Sequence, residues 1–441
     1  MVTAETAQGE PTRRFRFLPE GTSPDAAILI AARGIRAFGD GFVSILLPVH
    51  LVSLGFSATR IGVLTTATLL GSAALTLAVG QFAHRWRRID LLLRTAMLMI
   101  ATGIGFFLLD GFWPLLVVAF VGTINPSTGD VSVFLPTEQS LLPQTTSDRH
   151  RTAIFARYSL TGSLVGAIGS LAAGIPTALA HLLGVSAETT VTAMFLLYGA
   201  LGIVIAALYR RLTPRIEPAV KPDSPALGPS KRAVYRLAAL FSLDSFAGGF
   251  TLQSVIALWL FLRFDMSTAV AGTIFFWAGL LSAFSQLLAP RVAARIGLVN
   301  TMVFSHLPAN IFLILTPLMP TLPLAILFLL MRSALAQMDV PARTSYVMAV
   351  VTPEERPAAA SITNVPRSLA TAISPTIAGS LLQTTAFGWP LVIGGTLKAT
   401  YDLLLLAMFR HERPPEERTV AEVVPQPPDA APEASSRPSD R

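Results

Sequence analysis

Residues 210–233 read RRLTPRIEPAVKPDSPALGPSKRA, and the fold is decided by what stands on either side of them. Proline, serine and charge dominate the stretch, so it forms a polar linker and no membrane-crossing helix. Outward from it in both directions the chain becomes a series of long apolar segments separated by short polar turns. On the N-terminal side they fall at about 26–52, 60–82, 90–110, 113–140, 153–180 and 190–209. On the C-terminal side they fall at about 234–262, 268–290, 299–319, 322–346, 358–383 and 389–410. Each is long enough to cross a bilayer, which takes about 20 apolar residues in a helix. The reading is all-α: twelve transmembrane helices, six before the linker and six after.

Composition agrees. Of 441 residues 52% are hydrophobic and 13% are charged, whereas a soluble domain carries about 25% charged residues. The chain has no cysteine, which excludes disulfides, thiolate metal sites and cysteine nucleophiles. A net charge of +7 would suit nucleic acid only if it were gathered on a solvated surface with stacking aromatics. Instead the bases sit in short runs between apolar segments. If both termini are cytoplasmic, that face holds 21 of the 33 Lys and Arg and the opposite face holds only Arg60 and Arg263. Positive loops stay in the cytoplasm, so the expected topology is multi-pass in the cell membrane with both ends inside. Residues 1–25 are read as a cytoplasmic tail, 26–209 and 234–410 as two six-helix bundles joined by the linker, and 411–441 as a tail too polar to fold.

The two halves resemble each other. Phe38-Gly39-Asp40-Gly41-Phe42 aligns with Phe246-Ala247-Gly248-Gly249-Phe250, Gly62 with Gly272, and Ala167-Ile168-Gly169 with Ala372-Ile373-Ser374. The matches keep the same order at offsets of 205 to 210 residues, as a duplicated six-span unit would.

Between spans 2 and 3 the chain reads Gly80-Gln81-Phe82-Ala83-His84-Arg85-Trp86-Arg87-Arg88. With twelve spans, a basic linker and a six-plus-six repeat, this loop resembles that of the major facilitator superfamily of secondary transporters. The family pattern is Gly-x-Leu-Ala-Asp-Arg-x-Gly-Arg-Arg; Gly80, Ala83, Arg85 and Arg88 match, and His84 stands where the acid is usual. The resemblance implies two pseudo-symmetric six-helix bundles rocking around a central cavity. It also implies a cytoplasmic latch built on Gly80, Arg85 and Arg88. Family exporters carry a glycine-proline pattern on span 5; here Gly162, Gly166, Gly169 and Gly174 recur, but Ala167 stands in place of the proline. These glycines are read as close helix packing.

Charges inside the spans mark candidate sites, since one at the bilayer centre costs about 2.5 to 3.5 kcal/mol on insertion scales unless it faces a cavity or a partner. Span 1 has Arg36 and Asp40 at i and i+4, a spacing that allows an ion pair. Span 4 is interrupted by Pro126, Gly129 and Pro136 and carries Asn125, Asp130 and Glu138; broken helices in transporters point to binding sites. Asp40, Asp130 and Glu138 are the candidate proton carriers. Arg36, Asn125, Asp244, Gln253 and Asn364 are the candidate cavity residues. Asp339 and Arg343, again four apart, are read as a cytoplasmic gate pair, and Lys398 with Asp402 as a structural pair. Trp113, Trp259 and Trp389 fall near span ends, where interface anchors sit.

No nucleotide-binding, zinc-protease or nucleophile-elbow motif occurs. The expectation is therefore a secondary transporter without metal, cofactor or enzymatic activity, working as a monomer in a lipid bilayer on a small-molecule substrate. Asp40 and Asp130 make protons the expected coupling ion, and efflux of a small amphiphilic or drug-like compound the expected reaction. Import of a small organic anion on Arg36 or Arg343 is the alternative.

Overall fold

The computed structural model describes residues 18, 21–82, 86–126, 134–147, 150–217, 228, 230–349, 351 and 355–409. Among them there is no strand. The first half holds α1 (Pro24–Ser53), α2 (Ala58–Phe82), α3 (Arg88–Leu108), α4 (Phe112–Val121), α5 (Phe134–Leu141), α6 (Arg151–Ala172), α7 (Ile175–Leu183) and α8 (Ala187–Tyr209). The second holds α9 (Lys231–Gly249), α10 (Gln253–Phe264), α11 (Thr268–Ile296), α12 (Leu298–Leu315), α13 (Leu322–Leu335), α14 (Asp339–Ala349), α15 (Arg356–Thr384) and α16 (Trp389–Phe409).

Ten of the twelve expected spans are long and apolar enough to cross a membrane, three of them as pairs (α6–α7, α9–α10, α13–α14). The other two are α15, 29 residues long with Pro366 and Pro375 inside it, and the broken α4–α5. Local signals explain the ends. Ser186 and Ser267 cap α8 and α11, accepting from the Thr189 and Val270 amides at 3.1 and 3.3 Å.

Polarity is arranged for lipid. Trp113, Leu182, Val117, Ile203 and Phe284 are exposed on the outside of the bundle, while Arg36, Asp40, Glu138, Asp244 and Asp402 are buried within it. Trp113 and Trp389 are exposed as expected of anchors, but Trp259 is fully buried and its indole N–H donates to the Ala386 carbonyl at 3.2 Å. Its place near a span end concealed a core position.

The duplication is visible in the packing. α1 lies on α6 as α9 lies on α15, α3 on α8 as α12 on α16, and α2 on α4 as α11 on α13. A Cβ at Gly41 would lie 2.2 Å from the Gly166 carbonyl oxygen, and one at Gly249 would lie 2.4 Å from that of Thr371. Both partners sit at the offsets the repeat predicts.

The halves meet along two related seams, α2 with α15 and α6 with α11. A Cβ at Gly62 would be 2.3 Å from the Pro375 oxygen, and one at Gly272 would be 2.5 Å from that of Ser170. Only glycine allows this approach. The seams continue in Thr66 with Thr376 at 2.8 Å, the Ala58 amide on Gln383 at 2.8 Å and Thr177 with Thr268 at 2.9 Å. Close approach between halves is thus concentrated at the end opposite the termini.

The linker's first residues are fastened to the first half. The Asp25 carboxylate accepts from the Thr213 amide and hydroxyl at 2.9 and 2.7 Å. Glu217 accepts from the Arg88 and Ile89 amides at 3.1 and 2.9 Å, satisfying the open N-terminus of α3 and its dipole. Arg88, expected in the latch, is therefore placed as the first residue of α3. Gly80 lies near the end of α2, and Arg85 lies outside the described residues, as does Asp130.

Candidate functional site

A cavity of about 400 Å³ lies between the halves, on the terminus-bearing side of the glycine seams. α1, α5 and α6 contribute Arg33, Gln139, Tyr158, Ser159, Ser163 and Ser170. The second half contributes Gln253, Ile256 and Phe275, then Ser282, Gln286, Arg332, Ser333 and Gln337, with Lys398 from α16. Serine, glutamine and aliphatic side chains alternate, and three cations line the wall.

Two broken spans meet beside it, and that of the second half lines it with Thr251, Leu252 and Gln253. α4 stops at Val121 and the chain runs non-helical through residues 122–126. Backbone groups freed within a membrane must be satisfied inside the protein. The Thr123 amide donates to Thr102 at 3.2 Å, its carbonyl accepts from the Tyr198 hydroxyl at 2.9 Å, and the Pro126 carbonyl accepts from the Ser254 amide at 3.1 Å. Ser254 is in the first turn of α10, where amides lack helical partners. Each interruption therefore completes the other across the two halves.

Behind the first-half wall is a buried ionic cluster. Glu138, fully buried, is 2.7 Å from the Arg36 guanidinium. It also accepts from the Tyr209 hydroxyl at 2.5 Å and from that of Tyr158. Arg36 lies over the Phe134 ring, 4.6 Å from its centroid. The expected Arg36–Asp40 ion pair is not formed, because Glu138, delivered by the break in span 4, takes the guanidinium. Asp40 is hydrogen-bonded by Asn125, and its Oδ1 is buried without a hydrogen-bond partner among the described residues.

The second half carries a counterpart. Asp244 accepts from Lys398 at 2.6 Å and from Arg343 at 3.2 Å, and Arg343 is also 3.3 Å from Asp339. The expected Lys398–Asp402 pair is replaced: Lys398 turns to Asp244. Asp402 instead lies 2.9 Å from the His306 Nδ1 and accepts from Asn310 at 2.8 Å. Arg367 donates to Ser245 at 3.0 Å and to Asn364 at 3.2 Å.

The repeat offsets pair Arg36 with Asp244 and Glu138 with Arg343. The same locus thus holds an ion pair in both halves with the charges exchanged between helices. Sequence spacing did not reveal this, since it paired each residue along its own helix.

Of the cavity candidates, Gln253 lines the wall and donates to Ser170 at 3.3 Å. Arg36, Asn125 and Asp244 stand buried behind it, and Asn364 is exposed on α15. Asp339 and Arg343 are buried beside Asp244. Tyr158 and Arg332 are functional candidates that sequence reasoning passed over, and Lys398, read there as a structural partner of Asp402, is a third. Among the described residues no cluster of His, Asp or Glu is suited to a metal.

The family model for the Major Facilitator Superfamily matches residues 29–331 and 237–438. The chain belongs to the major facilitator superfamily. This superfamily member is 26% identical over 422 residues to an uncharacterized membrane protein of Saccharomyces cerevisiae, YJR124C, covering 88% of this chain and 94% of the yeast one. Its fold is similar to that of a bacterial homologue of the human lysosomal transporter Spinster in an inward-facing, occupied conformation. That TM-score is 0.69 at 15% identity, over 88% and 97% of the two chains. The nucleoside transporter NupG is also similar, with a TM-score of 0.65 at 14% identity over 88% and 100%. The chain is accordingly a multi-pass membrane transporter of the superfamily.

Proposed function

We propose that the protein is a proton-coupled secondary transporter that exports a small amphiphilic molecule from the cytoplasm by alternating access. The observation that carries the reading is the cavity lined from both halves and bounded at one end by the glycine seams. Rocking about those seams exchanges which end is open. With both termini cytoplasmic, as the distribution of Lys and Arg supports, the open end of this arrangement faces the cytoplasm.

Tyr158 supports the coupling. Its ring belongs to the cavity wall and its hydroxyl reaches Glu138, so solute and proton meet through one side chain. Asp40, four residues from Arg36 and bonded to the span-4 break, is the second proton site. Asp130, on the same interrupted segment, is retained as a third from the sequence. Ser, Gln and aliphatic lining residues suit a solute with both polar and apolar parts.

Purified protein in liposomes loaded with a pH dye tests this. Solute addition is expected to move protons, and Asp40→Asn, Asp130→Asn and Glu138→Gln are expected to abolish the solute-driven flux. Undiminished gradient-driven transport by all three overturns the proton assignment.

A further inference from the structure

We infer that the transported solute is a small organic anion, its carboxylate or phosphate held by Arg332 against the polar faces of α11 and α13. This deepens the proposed function and rests on the cavity being the transport site.

Among the described residues, every charged side chain lining the cavity is a cation: Arg33, Arg332 and Lys398. They are not equivalent. Lys398 is held by Asp244 at 2.6 Å, and Arg33 lies over the Tyr158 ring at 5.6 Å and has further contacts. Arg332 makes no hydrogen bond or ion pair with any described residue, and its Nε is buried. Arginine stays charged at any physiological pH, and an uncompensated charge at this depth is strongly disfavoured. A cation kept in a cavity without a counter-charge among the described residues fits a partner that arrives and leaves.

The surroundings suit an anion. Leu329, Arg332 and Ser333 share one face of α13, Gln337 lies in the turn just after that helix, and Ser282 and Gln286 share one face of α11. The faces touch: the Ser282 hydroxyl donates to the Ser333 carbonyl at 3.3 Å, and Gln286 donates to Gln337 at 3.5 Å. The Ser282 and Ser333 hydroxyls are spent on backbone carbonyls, so the amide hydrogens of Gln286 and Gln337 not used between them are the donors that flank a guanidinium whose planar fork matches a carboxylate or phosphate. The arginines that sequence offered for an anion, Arg36 and Arg343, are already bound to carboxylates. Among the described lining residues a cationic solute would meet three like charges and no acid.

The test is solute-dependent thermal stabilisation of the full-length protein in detergent. The anionic probes are succinate, benzoate and glucose 6-phosphate, which separate carboxylates from a phosphate ester; uridine is the neutral probe and tetraphenylphosphonium the cationic one. At least one anion is expected to stabilise the wild type saturably. Arg332→Gln is expected to weaken that binding by about tenfold or more, the loss of one charge-assisted contact, and Arg332→Lys by less. Without solute, Arg332→Gln is expected to unfold no earlier than the wild type, because it removes an unpaired charge. The inference is overturned if no anion binds, if Arg332→Gln binds anions unchanged, or if Arg332→Gln and Arg332→Lys both unfold early without solute. Proteoliposome flux separates the two readings. Arg332-dependent anion binding without solute-driven proton flux removes the coupled-transport reading and leaves the anion site. Proton-coupled transport of uridine or tetraphenylphosphonium does the reverse.

Discussion

Replacing Glu138 by glutamine keeps the shape of the side chain and one of the two oxygens to which Tyr158 and Tyr209 donate, but leaves Arg36 without its carboxylate partner. Arg36 and Glu138 are 1% and 0% exposed, so solvent screens neither. Removing one partner of such a pair costs about 3 to 5 kcal/mol. The Phe134 face keeps part of the stabilisation, since a desolvated cation–π contact contributes about 2 kcal/mol; a loss near the lower bound, about 3 kcal/mol, is therefore expected. That is more than about a hundredfold in the unfolding equilibrium. Unfolding in mixed micelles titrated with a denaturing detergent measures it. The second arm is Arg36→Gln with Glu138→Gln, which removes both charges and keeps polar contacts; it is expected to recover most of the loss. The reasoning is refuted if Glu138→Gln lies within about 0.5 kcal/mol of wild type, or if the double variant loses as much as the two single variants combined.

Other predictions follow the same geometry. Asp402→Ala strands the Asn310 amide and His306 in the interior and should destabilise by about 3 kcal/mol, read by the same titration. Tyr158→Phe removes the hydroxyl joining cavity and Glu138; solute binding should persist while solute-driven proton flux falls at least about tenfold in liposomes. Gly62→Val and Gly272→Val place side-chain carbons inside backbone oxygens across the seams. Each should raise labelling of a single cysteine introduced at the end opposite the termini, and the native chain's lack of cysteine makes that signal unambiguous. Asp25→Ala releases Thr213 from α1 and should cost about 1 kcal/mol with faster proteolysis of the linker.

The fold was legible because lipid imposes a coarse rule: long apolar segments separated by polar turns are enough to mark an all-α membrane fold, of whose twelve expected spans ten are long and apolar enough to cross. The repeat was legible too, since Gly41, Gly62, Gly249 and Gly272 are fixed by backbone neighbours that admit no Cβ. The site was only partly so. Neighbours at i and i+4 on an exposed helix gain about 0.2 to 0.5 kcal/mol, a weak preference that lost twice to a partner from another helix. Arg36 chose Glu138 over Asp40, and Lys398 chose Asp244 over Asp402. Both choices depend on where broken spans deliver their side chains, and no sequence period encodes that. Arg332 escaped notice for a different reason. One arginine within a span looks like any other until the partners of all the rest are known.

The glycine seams have a further physical consequence. At Gly62 and Gly272 the closure is made of backbone carbonyls seated directly on glycine backbone, joined by threonine hydroxyls, and no charged side chain takes part in that close approach. Such a closure is blind to ionic strength, because Debye screening has nothing to act on, and it contains no group that titrates near neutrality. At the opposite end the described residues include the exposed Arg87, Arg210, Arg211, Arg291 and Arg295, charges on which screening does act. In the proposed cycle, salt and anionic headgroups therefore act more strongly on that side than on the glycine seams. Ionic conditions would shift the balance between the two open states through that side, while the steric seal at the other stays constant.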